Sequence, residues 1–168
     1  MTDFNWDAAA FFERLTTSNK YAQENGYRFH PVSGLEGFHG ALTDALKTKA
    51  FICVSDTSDG SLDLDNVPHT TRVKEVFLAY RHKALDEKLR NSAMANMREL
   101  FRQFMSVLMQ ERIRLEEGGL YLDSRIAFKE IERYFYTGAA CAFFQIRIDT
   151  YTDLSYNPDE WITQPLIP

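Results

Sequence analysis

The sequence predicts an α+β fold, a four-stranded and mainly antiparallel sheet packed on one long helix, with two helices ahead of it. Three observations predict it. Ala84 to Glu117 contains neither Gly nor Pro, and its apolar residues recur at helical spacing. Two apolar, β-rich runs precede that stretch, Phe51–Ser55 and Thr70–Arg81, and two follow it, Arg125–Tyr136 and Ala140–Tyr151. The 168 residues, 45% hydrophobic and 14% aromatic, suffice for one domain with a sizeable core.

In chain order, Asn5 or Asp7 caps a first helix running to about Glu24, with Ala8, Phe11, Phe12, Leu15 and Ala22 on its apolar side and Asn25-Gly26 as its stop. Tyr27 to Val32 reads as a short linker closed by Pro31. Ser33 and Glu36 form a capping box that opens a second helix to about Lys47. Residues 1–48 are thus a helical N-terminal part, and 51–151 hold the sheet and the long helix. Asp56 to Pro68 reads as a polar loop between the first two strands.

The long helix carries Leu85, Leu89, Ala93, Met97, Leu100, Phe104, Leu108 and Leu115 on one face. Gly118-Gly119 stops it. At a rise of 1.5 Å per residue it reaches roughly 45–50 Å, more than a domain of this size needs, so either it breaks near Arg112 or its end projects toward a partner. Thr137-Gly138-Ala139 turns the chain between the last two strands. In the final one, Ala142, Phe144, Ile146 and Ile148 face the core and Gln145, Arg147 and Asp149 face away. Arg125–Tyr136 also fits a helical spacing through Phe128, Ile131 and Phe135; strand is the favoured reading. Residues 152–168 form an irregular tail with three prolines, yet they carry Tyr156, Trp161, Ile162, Leu166 and Ile167. That apolar load marks the tail as an interface, laid either on its own domain or on a neighbour.

Chemistry is sparse. Asp56, Asp59, Asp63 and Asp65 are the best metal candidates, four carboxylates within one loop. Their register is not that of an EF-hand, and a solvated loop is the expectation. His30, His39, Cys53 and His69 match no compact zinc spacing. Gly34, Gly37 and Gly40 form neither a P-loop nor a dinucleotide fingerprint. Cys53 and Cys141 sit in apolar runs and read as buried, unreactive thiols of a reducing compartment. Glu130 and Glu132 lack a defined cleft. No catalytic constellation and no cofactor site emerges. A net charge of −5 argues against general nucleic-acid binding. No apolar run is long enough to span a membrane and the first residues have no signal-peptide pattern, so the expectation is a chain that is cytoplasmic at synthesis.

In its order of elements, Phe51–Ser55, Thr70–Arg81, Ala84–Glu117 and Ala140–Tyr151 followed by an aromatic, proline-bearing tail, the chain resembles the head–tail junction proteins of tailed phages: tail terminators, tail-completion and neck proteins. The resemblance implies a non-enzymatic assembly protein of a phage or prophage. It implies a ring-forming homo-oligomer, other structural proteins of the same assembly as partners, and the virion as a destination. Two other readings are a small molecule bound between sheet and helix by Tyr80, Phe104, Tyr134 and Phe144, and a regulatory partner protein docked on the long helix.

Overall fold

The computed structural model describes residues 6–32, 49–55, 59–65, 67–82, 86–134 and 139–162. Its elements are α1 (Ala8–Ser18), α2 (Lys20–Glu24), β1 (Tyr27–Val32), β2 (Ala50–Ser55), β3 (Asp59–Asp63), β4 (His69–Arg81), α3 (Glu87–Glu117), β5 (Leu120–Leu122), β6 (Phe128–Tyr134), β7 (Ala139–Tyr151) and a final 3-10 turn, Pro158–Glu160. The α+β class holds. The sheet is mainly antiparallel, as expected, but among the described residues it has seven strands, not four, and is mixed, because the β1–β2 pair is parallel.

The spine is the antiparallel β4–β7 pair, thirteen residues each, in register from His69↔Tyr151 to Arg81↔Ala139. β2 and β3 lie in turn along the outer side of β4, and β5 and β6 along the outer side of β7. Each outer arm is interrupted by a two-residue excess. Val54 pairs with Val76 and Asp59 with Val73; Leu122 pairs with Ile148 and Phe128 with Phe144. The four expected strands are β2, β4, β6 and β7, and β3 and β5 prolong two of them. β1 is the expected linker. It is instead a strand, parallel to β2 from Tyr27↔Ala50 to Val32↔Ser55.

The helices form where local signals place them. Asp7 caps α1, its carboxylate accepting from the Ala10 amide at 2.9 Å. The expected single helix to Glu24 is broken at Asn19, whose extended backbone lets its side chain cap α2 through the Ala22 amide at 2.7 Å. Gly26 follows at φ 77°, a left-handed turn that suits glycine. The expected second helix, Ser33 to Lys47, lies outside the described residues.

α3 is one unbroken helix of 31 residues, capped by Asp86 and followed by Gly119 at φ 78°. It neither breaks near Arg112 nor overshoots the core, because Leu115 is fully buried and its last turns lie on β5. The sheet is simply long: thirteen residues at about 3.3 Å match thirty-one at about 1.5 Å, both near 45 Å.

The main core lies between α1, α3 and one sheet face. Ala50, Ile52, Val54, Val76, Leu78, Ala140, Ala142, Phe144 and Ile146 meet Phe12, Met97, Leu100 and Phe104 there. Phe12 sets its ring 6.1 Å from Phe104 and 5.7 Å from Phe144. Three side-chain bonds fasten the N-terminal residues along α3: Trp6 Nε1 to Glu111 (3.1 Å), Asn19 to Gln103 (2.9 Å) and Tyr21 to Asn96 (2.9 Å). On the opposite sheet face Phe51, Cys53, Phe77, Ala79 and Cys141 form a second buried cluster. Farther down, that face turns polar: Thr71 donates to Asp149, Arg147 lies 3.7 Å from Asp149, and Gln145 donates to Glu75 at 3.1 Å.

Two outcomes follow from this packing. Phe144→Ala, at the junction of α1, α3 and the sheet, is expected to lower the unfolding free energy by about 3–5 kcal/mol in urea titrations, whereas Met109→Ala on the exposed side of α3 changes it by less than about 0.5 kcal/mol. The Glu111 carboxyl is held below its ordinary value near 4.5, first by the hydrogen bond from Arg114 and also by that from Trp6. A depressed carboxyl contributes stability that is present above the ordinary value and is lost as pH falls through the depressed one. In a Trp161→Phe background, which leaves Trp6 as the sole tryptophan, its fluorescence is therefore expected to titrate with a midpoint below 4.5. Glu111→Gln should abolish that step. A midpoint at or above 4.5, or an unchanged step in the Gln variant, contradicts the tether.

Candidate functional site

The sequence-stated metal candidates do not converge. Asp59 and Asp63 occupy opposite ends of β3, a strand where a loop was expected, and four strand steps separate them by about 13 Å. Asp63 accepts from the Asp65 amide at 2.8 Å and lies 4.0 Å from His69, an Asx turn and a weak surface pair. Asp56 lies outside the described residues. His30 is the register partner of Cys53, but His69 stands at the far end of β4, and His39 lies outside the described residues. No group of three metal-ligating side chains occurs among the described residues.

The thiols and paired glutamates are similarly placed for structure. Cys53 is buried, and desolvation pushes its pKa up to about 12; burial, and then the nearby Cys53, push Cys141 higher still. Glu130 binds Arg98 of α3 at 2.6 Å and Glu132 lies 3.8 Å from Arg90, so both carboxylates brace β6 against the helix. Of the residues read as a ligand pocket, Phe104 and Phe144 are core, packed ring on ring with Phe12. The Tyr134 side chain lies outside the described residues. Only Tyr80 lines an open cleft, and its other walls are different residues.

What the structure does collect is exposed apolar side chains, at one end of the sheet and on both of its faces. Fourteen large hydrophobic side chains are exposed among the described residues. Nine of them belong to one end of the β4–β7 spine or to the chain leaving it: Leu62, Leu64 and Val67 of the β3–β4 hairpin, Tyr121 of β5, Tyr151 ending β7, and Leu154, Tyr156, Trp161 and Ile162 beyond it. The ladder continues one step past β7, with the Thr152 amide donating to Pro68 at 2.9 Å and the Thr70 and Thr152 hydroxyls 2.6 Å apart. After that the chain leaves the sheet. Tyr156 and Trp161 stack on one another at 6.4 Å across the 3-10 turn, and Ile162 is fully exposed. The described tail residues from Asp153 to Ile162 are exposed. Leu166 and Ile167 lie outside the described residues. Leu62, Leu64 and Val67 escaped sequence reading because nothing in the composition of an acidic hairpin marks its apolar members as exposed.

No family model and no curated protein matches this chain. No helix among the described residues is long and apolar enough to cross a membrane.

The thiol environment gives a direct check. Cys53 and Cys141 of the native protein are expected to react with a chromogenic disulfide reagent at mildly alkaline pH only on the timescale of unfolding, and both at once in denaturant. Rapid native labelling of either one would contradict their burial.

Proposed function

We propose that the protein is a non-enzymatic structural component that assembles with copies of itself, of the kind that forms the head–tail junctions of tailed phages or prophages. The observation that carries this reading is the gathering of exposed apolar side chains at one end of the sheet. Single exposed apolar residues are ordinary, but many of them gathered at one end of a domain are characteristic of an interaction site. Its composition also fits: Tyr and Trp, enriched where interfaces bury energy, stand beside aliphatic residues from a hairpin and a tail. The sheet adds a second route to contact, since β3 is exposed along its whole length at an edge, and an edge strand can pair with another chain. Helix length does not contribute, because α3 is matched by its own sheet. In this reading Tyr156, Trp161, Ile162, Leu166 and Ile167 meet a neighbouring protomer or another protein of the same assembly, within the virion.

Light scattering of the full chain from micromolar to near-millimolar concentration tests this. The expected result is a species of several 19.5 kDa protomers. Leu64→Glu and Trp161→Glu, both at exposed positions and so harmless to the fold, should each shift it toward the monomer. A monomer at every concentration, or an oligomer indifferent to both substitutions, would overturn the assignment of this end.

A further inference from the structure

The sheet has two open edges among the described residues, and they differ in chemistry. On one, β3 is exposed at every residue and pairs only with β4. On the other, β6 pairs only with β7. Alternation sorts the side chains of both strands onto the two sheet faces. Leu62 is in register with Thr70, an even number of steps from the core residues Val76 and Leu78, and Phe128 is in register with the core residue Phe144. Both therefore stand on the face that carries α3, and both are about half exposed. Phe128 is steadied from behind by Phe101 of α3, with ring centroids 5.4 Å apart. Asp59, Ser61 and Asp63 stand on the other face, and so does Lys129, the register partner of Phe143.

The two edges carry opposite charge. β3 holds two carboxylates and no cation. On β6 the carboxylates are engaged from the helix side, Glu130 by Arg98 at 2.6 Å and Glu132 by Arg90 at 3.8 Å, while Lys129 is exposed on the other face. A charge at a sheet edge ordinarily keeps other strands away. Two edges of opposite sign reject themselves and accept each other. A second copy turned about a twofold axis at Ser61 would set Asp59 against the partner's Asp63, and like charges directly opposite destabilise a strand pair. A copy standing alongside in the same orientation has no such conflict. β3 is antiparallel to β4, β4 to β7 and β7 to β6, so β3 of one copy meets β6 of the next antiparallel.

We infer that β3 of one copy pairs with β6 of a second copy, Leu62 beside Phe128 on the helix-bearing face and Ser61 opposite Lys129 on the other. That register puts Asp59 and Asp63 on the two diagonals of the lysine, about 7–8 Å away and within reach of a long side chain. Main-chain hydrogen bonds supply the affinity and the alternating side chains the specificity. Leu62 lies at the level of Thr150 and Phe128 at that of Phe144, so the second copy is displaced by six strand positions, about 20 Å, along the spine. The contact is heterologous: each copy offers one edge and receives on the other, which gives a ring where the rotation closes and an open chain where it does not. This inference rests on the self-assembly reading and deepens it, naming a second copy as the partner and these two edges as the contact.

Light scattering of the full chain, of Ser61→Lys and of Lys129→Glu tests it; both substitutions fall at exposed positions. The full chain is expected to assemble. Ser61→Lys sets a lysine opposite Lys129, and Lys129→Glu sets a carboxylate between Asp59 and Asp63, so each variant alone should need about tenfold or more protein to assemble. Circular dichroism should show both folded. An equimolar mixture of the two should assemble as the full chain does, because altered edge then meets altered edge with opposite sign and unchanged edge meets unchanged. A full chain that stays monomeric at every concentration would overturn the assembly reading and this pairing with it. An oligomer indifferent to either substitution, or a mixture of folded variants that stays dissociated, would overturn the pairing and leave the assembly reading standing.

Discussion

The continuous β4–β7 ladder is the constraint from which the rest of the molecule follows. Thirteen consecutive pairs fix the length of the domain, and an element meant to cover one face of that ladder must be comparably long. α3 meets this with 31 residues, running from the Tyr80–Arg81 end back to β5. Its buried residues, from Ala93 to Leu115, are distributed over nearly its whole length because the surface beneath it extends as far. The N-terminal segment then fills the remaining space, with Phe12 inserted between helix and sheet and polar side-chain bonds at Glu111, Gln103 and Asn96 spaced along α3.

Along the spine the chemistry changes twice. Near Tyr80 and Ala140 both sheet faces are apolar and buried. From Glu75 and Gln145 onward, one face becomes a polar ladder of Thr71, Arg147 and Asp149. The two ends differ again: α3 begins beside one, and the β3–β4 hairpin and the tail carry exposed apolar side chains at the other. Some 40 Å of strand separates them.

The elements legible in the sequence were those with strong periodicity. The 3.6-residue stripe of α3, the alternation of β7 and the apolar run of β4 each report one face against one core, a local signal that tertiary context did not need to override. The elements missed were made by partners. β3 is Asp-Gly-Ser-Leu-Asp, a composition poor in strand formers, and it is extended because β4 offers it a ladder to complete. β5 is three residues long, and β1 contains a proline and shows its strand character only beside β2. The same division holds for the surfaces. Trp161 and Ile162 stood out as apolar residues in an irregular tail. Leu62 and Phe128 belong to no motif, and only the β3–β4 and β6–β7 registers set them at the sheet's edges.

The paired interruptions of the outer arms have a mechanical consequence. An excess of two leaves side-chain parity intact, so each arm resumes with the same faces inside and outside. Both register changes fall at one level of the spine, between Val76 and Val73 on β4 and between Ile148 and Phe144 on β7. Across this step β4 and β7 stay paired without a break. The unbroken spine thus joins a half buried on both faces to the half that carries the exposed apolar side chains. α3 ties the same two halves together a second time, as one continuous 31-residue helix buried at Met97 over one and at Leu115 over the other, so a load on the exposed end is carried into the core by two parallel elements and not by one.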